Sequence, residues 1–207
     1  MPVEFLSDDQ VAAYGQFAGP PDRGELERFF FLDDSDRALI ARCRGDHNRA
    51  GFALQLGTVR FLGTFLADPL DVPAAAVDYL VAQLGVADAS CVKRYAERQA
   101  TQWEHAAEIR QAYGYRDFAD PEARRELRAF VDARAWTRSE GPRALFDQAV
   151  AWLREQRVLL PGVSVLARLV AEIRNDAADR LHALMASAAA QFRRGSPGPA
   201  GRPADGS

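Results

Sequence analysis

Apolar residues recur at three- and four-residue steps along almost the whole chain, a period that predicts helices. Ser7-Asp-Asp-Gln10 reads as a capping box ahead of Val11 and Tyr14, and Gly19-Pro20-Pro21 ends that element. Glu25 to Phe31 is a short helix with Leu26, Phe29 and Phe30 as its apolar stripe, and Asp34 or Ser35 starts another through Ala38, Leu39 and Ile40. A longer helix spans about Asp46 to Phe65, with Phe52, Leu56, Val59 and Leu62 on one buried face. Gly51, Gly57 and Gly63 lie inside it. Each costs roughly 1 kcal/mol against alanine, so close helix packing is the expected compensation. Asp68-Pro-Leu-Asp-Val-Pro73 is a clear break.

Beyond the break the pattern gives helices over Ala74–Leu84, from Asp88 or Ala89 to Arg98, and from about Gln99 to Tyr113 before Gly114. Asp120-Pro121-Glu122 opens another with a cap, a first-turn proline and an acid suited to the helix dipole, and it should bury Leu127, Phe130 and Val131. Gly141-Pro142 opens the next, with Leu145, Ala149, Trp152 and Leu153 inward. Leu159-Leu-Pro-Gly162 is a tight turn, and Ser164 should cap a long last helix through Leu166, Val170, Ile173, Ala177, Leu181 and Leu184. No window alternates with period two, so the fold class is all-α. A hinge near Phe118–Asp120 divides the chain into a lobe at 1–118 and a second lobe at 119–190. The Gly/Pro-rich segment 191–207 lacks the large apolar residues a core needs and reads as a disordered tail.

Val77 to Arg98 has the layout of a helix-turn-helix. Val77, Leu80, Val81 and Leu84 face the core, small Ala82 lets the second helix approach, and Gly85 can take the positive φ of a sharp turn. On the second helix Val92, Tyr95 and Ala96 point in, while Ser90, Lys93, Arg94, Glu97 and Arg98 point out. In this motif the second helix enters the DNA major groove, which makes Ser90, Lys93 and Arg94 the candidates for bases and phosphates. The next helix adds Arg98, Thr101, Gln102, Trp103 and His105, groups suited to phosphate or sugar, although Trp103 reads more simply as a core residue. An apolar helix pair with a glycine turn also occurs in many helical proteins that bind no DNA. Leu145 to Arg174 repeats the helix-turn-helix plan, with Arg168 and Arg174 as phosphate candidates.

Charge sharpens this picture. The net charge of −3 argues by itself against a simple nucleic-acid-binding protein, but its distribution is uneven. Residues 1–36 hold nine acids against Arg23 and Arg28, whereas residues 37–60 hold five arginines against Asp46 alone. Such asymmetry can present a basic face to phosphate while the chain stays acidic; a solvated helix face explains it equally well. Lys93 is the only lysine, a bias that fits a GC-rich genome and carries no weight for DNA binding. Cys43 and Cys91 stand apart, and His47, His105 and His182 are scattered, so neither a disulfide framework nor a metal site is expected, and no cofactor. No apolar run approaches the roughly 18 residues that span a bilayer, and the acidic start lacks a signal peptide's features, so a cytoplasmic protein without membrane contact is expected.

Several segments together resemble the N-terminal region of the Tn3-family replicative transposases: Glu4-Phe-Leu-Ser, Asp34-Ser-Asp-Arg-Ala-Leu-Ile, Asn48-Arg-Ala-Gly-Phe-Ala-Leu-Gln-Leu-Gly-Thr-Val-Arg-Phe-Leu-Gly63, Trp103-Glu-His-Ala-Ala-Glu-Ile-Arg110, Tyr113-Gly-Tyr-Arg-Asp-Phe118 and Val158 to Ala171. The likeness runs from about Pro2 to Met185. It implies a helical region that recognises the terminal inverted repeats of a transposon as double-stranded DNA. Members of that family are several times longer and carry an Asp/Asp/Glu catalytic triad in their C-terminal part, to which nothing here corresponds. Binding is therefore expected and strand cleavage is not; Glu104, Glu108, Asp117 and Asp120 read as helix caps and solvated charges. The tail in place of the family's continuation suggests a truncated or frameshifted gene. The DNA-binding candidates are Asn48, Arg49, Arg60, Ser90, Lys93, Arg94, Arg98, Thr101, Arg168 and Arg174, with the first three at the margin of a packing helix. The other reading is a helical interaction fragment, docking through the acidic first segment and Phe29 to Phe31 onto itself or onto a full-length transposase and inhibiting it.

Overall fold

The computed structural model describes residues 5–137 and 141–195. Among the described residues ten α-helices follow one another: α1 Asp8–Ala13, α2 Arg23–Phe29, α3 Asp34–Ile40, α4 Asp46–Leu62, α5 Ala74–Leu84, α6 Val92–Ala96, α7 Gln99–Tyr113, α8 Pro121–Thr137, α9 Pro142–Glu155 and α10 Val163–Gly195. The fold is all-α; among the described residues the β pairing consists of an isolated parallel bridge between Arg116 and Val158. The first three helices all open with reciprocal capping boxes: Ser7 with Gln10, Asp22 with Glu25, and Asp33 with Asp36. Much of the acidic run in the first segment is thereby spent on free backbone N–H groups at helix starts. Asp22 also moves the start of α2 two residues ahead of the predicted Glu25.

Other boundaries shift for local reasons. α4 stops at Leu62 rather than Phe65 because Gly63 turns left-handed, with φ +79°. The helix predicted from Ala89 to Arg98 is a 3-10 turn at Ala89–Cys91 followed by the five residues of α6. α10 begins at Val163, so Ser164 lies inside it and does not cap it. The same helix continues to Gly195, which makes the first residues of the predicted tail helical; residues 196–207 lie outside the described ones.

Two apolar clusters build the interior. α4 is the axis of the first, and it is buried continuously from Ala50 to Val59, on every side and not on one face. Its glycines make this possible. A Cβ on Gly57 would stand 2.4 Å from the Phe30 ring, and one on Gly51 would stand 2.2 Å from the Tyr95 ring, so aromatic rings occupy both places. Phe30 is thus fully buried, and the expected exposed surface of Phe29 to Phe31 reduces to Phe31. The second cluster joins Leu127 and Val131 of α8, Leu145 and Leu153 of α9, and Leu166, Val170 and Ile173 of α10. Phe5, Leu6 and Tyr14 cross over to pack on it, with the Tyr14 ring 5.7 Å from that of Phe146. Backbone bonds fasten the two clusters together: Arg116 N–H donates to the Arg157 carbonyl, Leu159 N–H to Arg116 and Leu160 N–H to Gly63, each at 2.9 Å.

Asp36 ties three helices of the first cluster at one point. Its fully buried carboxylate accepts both Arg60 guanidinium nitrogens at 2.8 Å, the Tyr113 hydroxyl at 2.5 Å and the Asp33 N–H at 3.1 Å. Burial pushes the Asp36 pKa up, but the bonds from Arg60 and Tyr113 outweigh it and hold the carboxyl below its ordinary range. A carboxyl depressed in the folded state stabilises fully above its unfolded pKa and loses that contribution as pH falls through the folded value. Asp36→Ala strands a half-buried guanidinium and should cost about 3–5 kcal/mol in urea denaturation. The parent should lose stability in acid below the ordinary carboxylate range, and the variant should lose less over the same interval.

Candidate nucleic-acid interface

α5 buries Ala76, Leu80 and Val81 against α4, with Val77 and Leu84 half-buried beside them. Gly85 closes it at φ +64°, and after a short turn the second helical segment, Ala89–Ala96, runs at 108° to the first. An angle between about 90° and 120° over a glycine turn is what a helix-turn-helix requires. Ala82 does not mediate the approach, because it faces solvent. Asp88 shapes the turn by accepting the Ser90 N–H and hydroxyl, both at 2.9 Å, and these bonds hold its carboxyl below the usual range.

α6 is too short to hold its own position, and tertiary contacts hold it instead. The Tyr95 ring lies on Gly51 of α4. One turn further along α4, Gln55 Nε2 donates to the Tyr95 oxygen at 2.6 Å and to the Gln102 carbonyl at 3.1 Å. Both Gln55 hydrogens are then used, so the Tyr95 hydroxyl hydrogen goes to His105 Nδ1, 3.0 Å away. That leaves the His105 proton on Nε2, directed at Cys43 Sγ, 3.7 Å away. Burial lowers the His105 pKa, outweighing Glu108 and Glu104, which agrees with this neutral tautomer. From α7, the Gln102 amide also donates to the Tyr95 and Ala96 carbonyls at 3.3 and 3.1 Å, satisfying the end of α6. Gln102 and His105 are therefore committed inside the protein and are not free for DNA.

The outer face of the same short helix is exposed at Lys93 and Arg94, and Ser90 in the turn before it and Glu97 and Arg98 just after it are exposed as well. Lys93, Arg94 and Arg98 have no ion-pair partner among the described residues, unlike most arginines of this lobe. Thr101 is half-buried behind them, and Trp103 is 68% exposed rather than a core residue. The candidates on α4 are engaged elsewhere. Asn48 donates to the Arg44 carbonyl, Arg49 bridges Asp46 and the Leu84 carbonyl, and Arg60 is held by Asp36. Arg168 and Arg174 are exposed on α10, without a bonded partner among the described residues. The turn between α9 and α10 serves as the fastener to Arg116 and Gly63. Lys93, Arg94 and Arg98 thus lie close together in the chain beside the first cluster, whereas Arg168 and Arg174 lie on α10 of the second. The described residues contain no cluster of three metal-ligating side chains, and no single helix among them is long and apolar enough to cross a membrane.

A family profile described as a domain of unknown function, DUF4158, matches residues 5–173. The chain belongs to that family. It is 45% identical over 181 residues to the transposase for transposon gamma-delta of Escherichia coli (strain K12), covering 87% of this chain and 18% of that one. It is also 29% identical over 178 residues to the transposase for transposon Tn1546 of Enterococcus faecium, covering 86% and 18%. With the transposase for transposon Tn501 of Pseudomonas aeruginosa it shares 33% over 153 residues, covering 74% and 15%. The matches bear out the resemblance to Tn3-family transposases, and the chain spans less than a fifth of the length of these relatives.

The seat of Tyr95 has a direct test. Gly51→Ala forces a methyl into a ring that is fixed at its far end, and should cost about 1–3 kcal/mol in urea denaturation. Tyr95→Ala removes the obstacle, so the penalty of Gly51→Ala should vanish in that background and leave a neutral effect or a gain of up to about 1 kcal/mol from helix propensity. Equal penalties in the two backgrounds would show that the ring does not set the constraint.

Proposed function

We propose that this chain is a DNA-binding module of a Tn3-type transposase that recognises the terminal inverted repeats of the transposon and does not cleave strands by itself. One observation carries the reading: Lys93, Arg94 and Arg98, with no ion-pair partner among the described residues, are exposed on and just beyond a short helix that sits at 108° to α5. Its inner side is fixed by the Tyr95 network. Rigid presentation is what groove reading needs, since contacts to base edges depend on the helix keeping its register. In this reading Ser90 and Thr101 flank the three basic residues, and Arg168 and Arg174 add phosphate contacts on the second lobe. Arg49 and Arg60 serve by holding α4, and Asn48 by closing its first turn.

The test is fluorescence anisotropy with a duplex of the gamma-delta terminal repeat against a scrambled duplex of equal length. Binding should weaken steeply with salt, and Lys93→Ala/Arg94→Ala should reduce the slope of log K against log salt by about 2, with roughly 10- to 100-fold weaker binding. Equal affinity for the scrambled duplex removes the specificity claim. An unaltered slope in the double variant moves the interface away from α6.

A further inference from the structure

Among the described residues Trp103 is the most exposed of the large apolar side chains, at 68%. It stands on a rigid mount. Gln102, the residue before it, donates to the Tyr95 and Ala96 carbonyls at 3.3 and 3.1 Å, and its own carbonyl accepts Gln55 Nε2 at 3.1 Å. His105, two residues after it, meets Tyr95 and Cys43. These bonds hold the start of α7 against the end of α6, and a helical Cβ tilts toward the N-terminus, so Trp103 leans toward that junction. Its neighbours one turn away, Gln99, Ala100 and Ala107, are small or polar and exposed. A single ring among them offers at most about 250 Å², whereas a stable protein interface takes roughly 800 Å² from each partner. The patch is too small for a protein and large enough for one sugar of a nucleic acid.

We propose that Trp103 packs on a deoxyribose of the DNA strand bordering the groove that α6 enters, as a contact without charge. The inference rests on the DNA-binding reading above and adds to it a residue that acts by packing. A helix in a major groove about 12 Å wide has a sugar–phosphate strand close on each side, and the elements that flank a recognition helix contact that backbone. The start of α7 is such an element. Glu97 and Glu104 are exposed nearby and subtract from the attraction of Lys93, Arg94 and Arg98 for phosphate. Packing of a ring on an uncharged sugar is insensitive to those acids. With Gln102 and His105 fixed on either side, little beyond the two torsions of the Trp103 side chain is left to order on contact.

The test combines anisotropy on the gamma-delta terminal-repeat duplex with fluorine NMR of the full chain labelled with 5-fluorotryptophan. Trp103→Ala should bind about 5- to 20-fold more weakly, with an unchanged thermal transition. Its slope of log K against log salt should equal that of the parent, because no charge is removed. Trp103→Phe should keep most of the affinity. The Trp103 resonance, identified by its loss in Trp103→Phe, should move as the duplex is added. Salt-dependent binding with that resonance unmoved at saturation overturns the inference and leaves the DNA-binding reading standing, as does a Trp103→Ala variant that binds like the parent. A Trp103→Ala variant whose salt slope also falls has lost phosphate contacts, and that overturns a purely apolar role. A parent that does not bind the duplex at low salt overturns the inference and the reading together.

Discussion

The arrangement of the first apolar cluster depends on how closely aromatic rings approach the backbone of α4. A helix with side chains at every position cannot be wrapped on all sides at short distance, and this one is wrapped because Gly51 and Gly57 leave room for Tyr95 and Phe30. The destabilisation intrinsic to glycine in a helix is thus offset by burial of two large rings. The Tyr95 ring has a second consequence. It belongs to a helix of five residues that could not persist alone, and it places that helix so that its other side faces outward with Lys93 and Arg94, Arg98 following just beyond its end.

Hydrogen bonding converts this close approach into a fixed orientation. Gln55 can donate only in the sense that satisfies both Tyr95 and Gln102, and that choice decides the position of each proton through His105 to Cys43. A buried polar chain with a single consistent assignment resists rotation of its members, which apolar packing alone does not. Charges are partitioned to the same end. Four of the nine acids of the first segment, Asp22, Glu25, Asp33 and Asp36, cap helices, and Asp36 also binds Arg60 and Tyr113, whereas Lys93, Arg94 and Arg98 face solvent. A chain of net charge −3 can therefore offer a basic surface, because much of its negative charge is committed elsewhere.

Helix order and the α5–α6 turn were legible in the sequence because three- and four-residue periodicity, Gly85 and the capping residues are local signals. The inward orientation of Val92 and Tyr95 was equally local. Partner choice was not. Nothing near Arg60 in sequence announces Asp36, 24 residues earlier, and the pattern that marked Arg49 as basic margin cannot show that it reaches the Leu84 carbonyl. Trp103 misled for a related reason: size and hydrophobicity favour burial on average, while its place on the outer side of α7 is set by which face Ile109 and His105 turn toward α4. The signal that Gly51 and Gly57 receive aromatic rings was present as two glycines six residues apart in a helix, but only the packing shows which rings.

The most direct measurement of the central claim is an NMR titration of backbone amides with a duplex of the gamma-delta terminal repeat. The account predicts the largest shift changes from Ala89 to Thr101, smaller ones near Arg168 and Arg174, and little change along the buried part of α4. Changes concentrated on the second lobe, with Lys93 and Arg94 unmoved at saturation, would contradict it.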